Sequence, residues 1–250
     1  MGRLRISAKN LGAVALSNFC PRCFWIKTHC KNLPYQIFPG IFSSIDSYSK
    51  KITNYYFVKH SKLPNWLSNF GQLGKPIHVP HFSKFNIVDE ETNILLTGVP
   101  DEIFVNDFGN HFIVDYKTAK FTGTQDQLLP MYEIQLNAYA HIAENCGMSP
   151  VTGLGLIYYE PFTDITSEDI NKFVGQDTFV MHFTGKLLNI DIDFSRLRKA
   201  LSVARDVYES RSIPDRKGEC SECDRLEELL SVALPERDVE YERELHSQEG

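Results

Sequence analysis

The sequence predicts an α/β protein with a mixed central β-sheet flanked by helices. Between residues 77 and 118, apolar and β-branched residues form short strand-like runs separated by turn residues. Longer segments on both sides of this region carry apolar residues at helical spacing. With 250 residues, of which 42% are hydrophobic, the chain can bury a real core as one large domain, or as a domain with an appendage.

Four segments have the features of helices. The second follows the break at Pro39 and Gly40, and the third ends near Gly147, as expected from the helix-breaking character of these residues. The third and fourth helices carry clear apolar stripes. The predicted helices cover residues 17–29, 43–57, 128–145 and 193–210.

Five segments have the features of strands, and two of them form a hairpin. Residues 106–110, Asn-Asp-Phe-Gly-Asn, have the composition of a turn between the second and third strands. Pro100 lies inside the second strand, which indicates a bulge or an edge position. The predicted strands cover residues 77–88, 94–105, 112–118, 151–160 and 178–184.

The hairpin predicts a pocket with two carboxylates. Asp115 and Lys117 share one face of a strand because side chains alternate with period 2, and the turn brings Asp101 beside them. Two carboxylates and the backbone carbonyl of Tyr116 are the oxygen ligands that Mg²⁺ or Mn²⁺ prefers, and Lys117 could neutralise developing negative charge. The alternative is an Asp-Lys pair that faces solvent, with Asp101 in an ordinary turn.

Residues 98–139 resemble the core of the PD-(D/E)XK nucleases, in particular the RecB-like branch. Pro100-Asp101 resembles the PD element, Asp115-Tyr116-Lys117 resembles the (D/E)XK element, and the helix with Gln135 and Tyr139 resembles the QxxxY element. The resemblance implies a restriction-endonuclease-like fold in which these residues form the catalytic site. Gln135 and Tyr139 would then support the metal pocket and contact the substrate backbone.

One element of that family pattern is absent from the sequence. RecB-like nucleases often carry a metal-binding histidine on an upstream helix, but residues 40–50 contain none. Asp46 is the acid in that segment and could replace the histidine as an oxygen ligand, although an exposed helical Asp is the default interpretation. The other candidates for that metal ligand are His60, His78 and His81, for which an ordinary surface or strand position is the alternative.

Two Cys-x-x-Cys pairs form the second motif, with almost 200 residues between them. Four such cysteines can bind Zn²⁺ or a 4Fe–4S cluster, and the alternative is a set of free thiols. The arrangement resembles the iron–sulfur staple of RecB-like nucleases such as AddB and the CRISPR-associated adaptation exonucleases. There one N-terminal cysteine joins three C-terminal ones, whereas here the pairing is two and two. The four residues are Cys20, Cys23, Cys220 and Cys223.

Charge is distributed unevenly along the chain. Residues 1–62 contain ten Lys or Arg and one acid, together with several aromatic residues, which is compatible with a nucleic-acid surface or with a solvated helical face. Residues 219–250 contain eleven acids and three Arg. We expect four regions: a helical N-terminal region at 1–76, a nuclease core at 77–213, a cysteine segment at 214–233 and a disordered acidic tail at 234–250. The N-terminal region and the C-terminal cysteines would together form a cap.

These features favour a metal-dependent nuclease that hydrolyses single- or double-stranded DNA with an activated water, in DNA repair, recombination or defence. They leave open whether it is an exonuclease or an endonuclease. The alternatives are an inactive nucleic-acid-binding or scaffold protein with the same fold, and a structural metalloprotein. The sequence lacks a Gly-rich phosphate loop, so a helicase or a repair or defence complex would be a separate partner. No apolar run could span a membrane, and we expect a cytoplasmic protein.

Overall fold

A computed structural model describes residues 2–30, 39–71, 73–121 and 127–234. The chain divides into two compact units, one formed by Met1–Leu16 and Pro34–Asp206 and the other by Ser17–Leu33 and Val207–Gly250. Apart from its first residue, the predicted acidic tail at 234–250 lies outside the described residues. None of the helices in the described ranges combines the length and the apolar character needed to cross a membrane.

The first unit contains mixed β-sheets flanked by helices, which confirms the α/β class. Its strands are β1 (Leu4–Ser7), β2 (Lys75–Ile77), β3 (Asn86–Asp89), β4 (Ile94–Thr97), β5 (Glu102–Val105), β6 (His111–Lys117), β7 (Val151–Pro161) and β8 (Phe183–Ile190). Its helices are α1 (Ala8–Gly12), α3 (Gly40–His60), α4 (Leu129–Asn145) and α5 (Phe194–Tyr208), whose last two residues belong to the second unit. Short 3₁₀ turns lie at Ala13–Ala15, Asn65–Phe70 and Ile170–Lys172.

Within the described ranges the strands form two sheets. Five strands pair in the order β2-β5-β6-β7-β8, and three pair in the order β1-β4-β3. In the larger sheet β6 and β7 are parallel and the other neighbours are antiparallel. A parallel pair needs a long crossover connection, and α4 lies in the segment that connects β6 to β7.

The two faces of β6 have different roles. Val114 and Tyr116 belong to a buried apolar cluster that also includes Leu67, Phe104 and Ile157. Because side chains alternate along a strand, Asp115 and Lys117 point to the opposite face. The same strand therefore contributes to the core and to a polar site.

The second unit contains α2 (Pro21–His29) and α6 (Ser221–Ala233). Trp25 Nε1 donates to the carbonyl of Ser210 at 3.2 Å. The ring of His29 stacks on those of Trp25 and Tyr208, with centroid distances of 4.0 and 4.8 Å. Aromatic stacking thus links α2 to the segment that precedes α6.

Two predicted strands between residues 77 and 105 are wrong in extent. The run at 77–88 forms a strand only at its ends, because Pro80 has no N–H to donate and the N–H groups of Lys84 and Phe85 bond back to the carbonyl of His81. The run at 94–105 breaks at residues 98–101 into β4 and β5, which belong to different sheets. The expected single central sheet is accordingly a five-stranded sheet with a separate three-stranded one.

Two other boundaries differ from the prediction. The helix expected at 17–29 begins at Pro21, because Cys20 is extended and proline favours the first helical position. The strand expected at 178–184 begins only at Phe183, and Phe179 makes a single isolated bridge to Val174. The hairpin turn at 106–110 and the helix at 128–145 agree with the structure.

Candidate active site and cysteine cluster

The hairpin of β5 and β6 brings two carboxylates together. Glu102 pairs with Val114 in the antiparallel register, so Asp101, just before β5, lies opposite Asp115. The backbone N–H of Tyr116 donates to Asp101 Oδ2 at 2.6 Å, which fixes the side chain across the hairpin. The break at residues 98–101 therefore aims Asp101 at β6 instead of continuing the strand.

Asp115 is buried and has partners on both of its oxygens. Lys117 forms an ion pair with Oδ2, and Gln135 Nε2 donates to Oδ1 at 3.3 Å. Lys117 also donates to Gln135 Oε1 at 3.4 Å and lies 4.2 Å from the centroid of the Tyr132 ring. Asp115, Lys117 and Gln135 thus form a closed polar network between β6 and α4.

Helix α4 supplies the other two predicted site residues. Gln135 and Tyr139 are one turn apart, and Gln135 Nε2 lies 2.8 Å from the Tyr139 hydroxyl, to which it donates. Both side chains are buried, so Gln135 does not face solvent. Tyr139 is a buried aromatic residue that also lines the pocket.

The electrostatics of Asp101 reflect its crowded position. Burial and the nearby charge of Asp115 raise the pKa of Asp101 to about 6, against the opposing effects of Lys50 and the Tyr116 N–H. Asp101 and Asp115 repel each other, so a positive charge between them would stabilise both carboxylates.

Asp46 lies on α3 and lines the same pocket, where its carboxylate pairs with Lys50 at 2.8 Å. Lys50 Nζ also lies 2.7 Å from Asp101 Oδ1. The three histidines considered as substitutes, at positions 60, 78 and 81, are not among the residues that line this pocket.

The pocket has a volume of about 620 Å³ and is lined by all five predicted catalytic residues together with Tyr116 and Asp46. Its oxygen donors and the repulsion between Asp101 and Asp115 fit a hard divalent cation that keeps several waters. Within the described residues, however, the three carboxylates do not converge into a ready ligand cluster as the cysteines do. Both nearby lysines occupy carboxylate oxygens instead. The Tyr116 carbonyl stays a predicted ligand.

Sequence reasoning missed two polar residues beside the site. Lys50 was not singled out, although its spacing of four residues from Asp46 is that of a helical ion pair. Glu102 is buried, and Asn54 Nδ2 donates to its Oε1 at 2.7 Å. Burial raises the pKa of Glu102 to about 7 despite this hydrogen bond. Glu102 is the first residue of β5 and is followed by three apolar residues, a sequence that carries no signal of its burial.

The second unit brings the four predicted cysteines together. Their sulfur atoms all lie within 4.8 Å of one another, and three of the pairs are 3.4, 3.6 and 3.7 Å apart. This cluster, which consists of Cys20, Cys23, Cys220 and Cys223, could hold a metal ion. Each pair spans the start of a helix, because Cys20 precedes α2 and Cys220 precedes α6.

The surroundings of the cysteine cluster shift the pKa values of its thiols in different directions. Burial opposes ionisation of Cys20, but the backbone N–H of Lys217, which lies 3.4 Å away, and the neighbouring thiols lower its pKa to about 6. Burial raises the pKa of Cys23 and of Cys223. Four thiolates this close would repel one another, so a cation is needed for all four to be deprotonated together.

Comparisons with known proteins add little to these observations. No family model matches the chain, and no curated protein matches it. Ten chains of solved structures match, among them one titled "Crystal structure of SSO0001". It is 16% identical, covers 94% of this chain and 87% of its own, and has a TM-score of 0.37. At that score the likeness carries no argument about function.

Proposed function

We propose that the protein is a metal-dependent deoxyribonuclease of the PD-(D/E)XK type, most similar to the RecB-like branch. The observation that supports this proposal best is the convergence of Asp101, Asp115, Lys117, Gln135 and Tyr139 on one pocket. These residues come from a hairpin and from a separate helix, so they lie together because of the fold and not because they are neighbours in the sequence. Their residue types are those needed for hydrolysis of a phosphodiester.

Each side chain has a role that follows from its contacts. Asp101 and Asp115 would hold Mg²⁺ or Mn²⁺, which supplies Lewis-acid stabilisation of phosphate charge and makes water a better nucleophile. The ammonium of Lys117 would offset negative charge on the phosphate as the phosphorus–oxygen bond breaks. Gln135 keeps Asp115 oriented by donating to its Oδ1, and Tyr139 accepts a hydrogen bond from the same amide.

The test compares the wild type with Asp115→Asn, which keeps the shape of the side chain but removes its charge. Labelled single- and double-stranded DNA is incubated with Mg²⁺ or Mn²⁺, and product is quantified on a gel. We expect Asp115→Asn to lose at least about a hundredfold in rate. Asp107→Asn is the matched control, because Asp107 is exposed in the turn at the other end of the same hairpin. Equal rates in all three proteins, or no cleavage by any, would refute the proposal.

A second candidate is a DNA-binding or scaffold protein that keeps the fold without catalysis. Lys50 favours it, because its ammonium already bonds to Asp101 Oδ1. This candidate predicts that the wild type binds DNA in a gel-shift assay but cleaves neither strand form with either metal ion. Either candidate can act with a separate helicase or a repair or defence complex.

For the cysteine cluster we propose a single structural Zn²⁺ ion instead of an iron–sulfur cluster. Four sulfurs about 2.3 Å from one tetrahedral ion lie about 3.8 Å from one another. The closest sulfur pairs here, at 3.4 to 3.7 Å, fit that spacing. In a 4Fe–4S cluster each cysteine binds a different iron, so the sulfurs lie farther apart.

Metal analysis of protein purified without oxygen separates the two forms. We expect one zinc and no iron per chain, and loss of the zinc in Cys223→Ser but not in Cys30→Ser, whose cysteine is exposed and outside the cluster. Four irons with brown colour and broad absorption would contradict the zinc assignment. Absence of both metals would contradict the site itself.

A further inference from the structure

Lys50 has an unusual position for a lysine next to a proposed metal site. Its Nζ lies 2.8 Å from Asp46 Oδ2 and 2.7 Å from Asp101 Oδ1, so the ammonium bridges carboxylates from two different elements. Lys117 is different, because it lies two residues from Asp115 on the same strand. Lys50 instead reaches Asp101 from helix α3.

A charge bridged by two carboxylates is the arrangement that a bound cation takes. The other oxygen of Asp101, Oδ2, accepts the N–H of Tyr116, so Oδ1 is the atom that a cation beside Asp46 would share. Lys50 holds that atom. The Asp46 carboxylate is therefore satisfied by a group of the protein itself, whereas Asp101 keeps further lone pairs for the one metal ion that it would share with Asp115.

The charge balance limits how many ions the site can take. Asp46, Asp101 and Asp115 are paired with Lys50 and Lys117, which leaves one formal negative charge among these five groups. One divalent cation changes this to one positive charge, which a single phosphodiester neutralises. A second divalent cation would leave an excess of positive charge close to two lysines, which is unfavourable in a partly buried site.

We propose that the ammonium of Lys50 replaces a second divalent cation between Asp46 and Asp101, so that the pocket binds a single metal ion. This inference rests on the proposed metal-dependent function and specifies its metal stoichiometry. Asp46 is then the counter-ion of Lys50, and not a metal ligand in the wild type. Lys50 is a positioning residue, because it acts through Asp101.

The test measures Mn²⁺ binding by titration calorimetry and by electron paramagnetic resonance at pH 7.5, with the cysteine cluster loaded with zinc beforehand. We expect one Mn²⁺ per chain in the wild type and in Lys50→Arg, which keeps the charge. Lys50→Met keeps the length of the side chain without its charge, and we expect it to bind two. Adding Asp46→Asn to Lys50→Met should return the count to one.

Lys51→Met is the control, because Lys51 is the exposed neighbour on the same helix, and it should bind one Mn²⁺. Circular dichroism melts check folding, and Lys50→Gln replaces Lys50→Met if that variant does not fold. Two ions in the wild type, or one ion of unchanged affinity in Lys50→Met, would overturn the proposal. One ion bound more tightly in Lys50→Met would also overturn it, because Lys50 would then only oppose the first ion.

Failure of the proposed function gives a different result. If neither the wild type nor any Lys50 variant binds Mn²⁺, the metal site itself is wrong. If Asp115→Asn abolishes Mn²⁺ binding while Lys50→Met binds as the wild type does, the nuclease proposal stands and only the role of Lys50 is rejected.

Discussion

Gly98 links the sequence motif to the geometry of the site, and replacing it with alanine should disturb both. A Cβ atom at this position would lie 2.4 Å from Tyr139 Cε1 and 2.8 Å from Cδ1. Favourable carbon–carbon contacts are about 3.5 to 4.0 Å, so the ring would have to move by about 1 Å. Tyr139 is buried, and its hydroxyl is bonded to Gln135, so the ring has little room to move.

Overpacking of this kind costs about 1 to 3 kcal/mol. For a chain of this length, about 2 kcal/mol corresponds to a fall in Tm of roughly 4 to 8 °C. Backbone strain adds nothing to this cost, because the φ angle of Gly98 lies outside the positive range that favours glycine. The measurement is a thermal melt followed by circular dichroism, with the zinc content of the samples matched.

Gly40→Ala is the control for the general effect of adding a methyl group. Gly40 begins α3, and a Cβ there meets no atom within 4 Å. We expect this variant to melt at the wild-type temperature or slightly above it, because alanine restricts the unfolded chain. If Gly98→Ala had the same melting temperature as Gly40→Ala, the clash would be refuted.

A second substitution tests whether Tyr139 is the residue that the new methyl group meets. Tyr139→Leu removes the ring atoms in question, so it should cost less stability in the Gly98→Ala background than in the wild type. A double-mutant cycle with an interaction energy near zero would show that the two positions do not contact each other. When the same variants are assayed for DNA cleavage, Gly98→Ala should be less active than the wild type even at a temperature at which it is fully folded.

Three further substitutions test the polar and close-packed parts of the first unit. Because burial raises the pKa of Glu102 from 4.5 to about 7, the folded protein holds a proton that the unfolded chain releases, and stability falls as pH rises between these values. In urea titrations the free energy of unfolding of the wild type should fall by up to about 3 kcal/mol between pH 4.5 and pH 8, and Glu102→Gln should remove this fall. Glu168→Gln, which changes an exposed glutamate, should leave it in place. Asn137→Ala should cost about 2 kcal/mol in urea unfolding, because Asn137 accepts from the Asp193 N–H at 2.7 Å and donates to the Asp191 carbonyl at 3.0 Å; an unchanged midpoint would contradict this. Gly12→Ala should lower the Tm more than Gly98→Ala does, since its Cβ would lie 2.3 Å from the rigid backbone carbonyl of Met131; an equal or smaller loss would show that α1 can move away from α4.

The sequence identified the residues of the hairpin because their chemistry and their local structure coincide. Alternation placed Asp115 and Lys117 on one face, and the turn at 106–110 set the register that brings Asp101 opposite Asp115. Both signals span fewer than about twenty residues, so they depend on local geometry alone. Gln135 and Tyr139 were predicted from the resemblance to the QxxxY helix, whose spacing of one helical turn is also a local feature.

The predicted strand boundaries are wrong where tertiary contacts, and not the local apolar pattern, determine which strand a segment pairs with. Residues 94–105 form one continuous pattern, yet Ile94–Thr97 pairs with β1 and Glu102–Val105 pairs with β6. The partner strand at Leu4–Ser7 lies about ninety residues away in the sequence, and its four residues are too few for a periodicity signal. No local pattern encodes that pairing.

The position of Lys50 shows why the missing histidine could not be interpreted from sequence alone. The absent family residue suggested a substitute ligand on the same helix, and Asp46 is indeed in the pocket wall. What the sequence could not supply is the direction of the neighbouring lysine, because Asp101 follows Lys50 by 51 positions and meets it only through the fold. An acid four residues before a lysine normally forms an exposed pair of little energetic value. Here a second, largely buried carboxylate, that of Asp101, joins the pair, which converts an ordinary helical ion pair into a fixed positive charge beside the proposed catalytic metal.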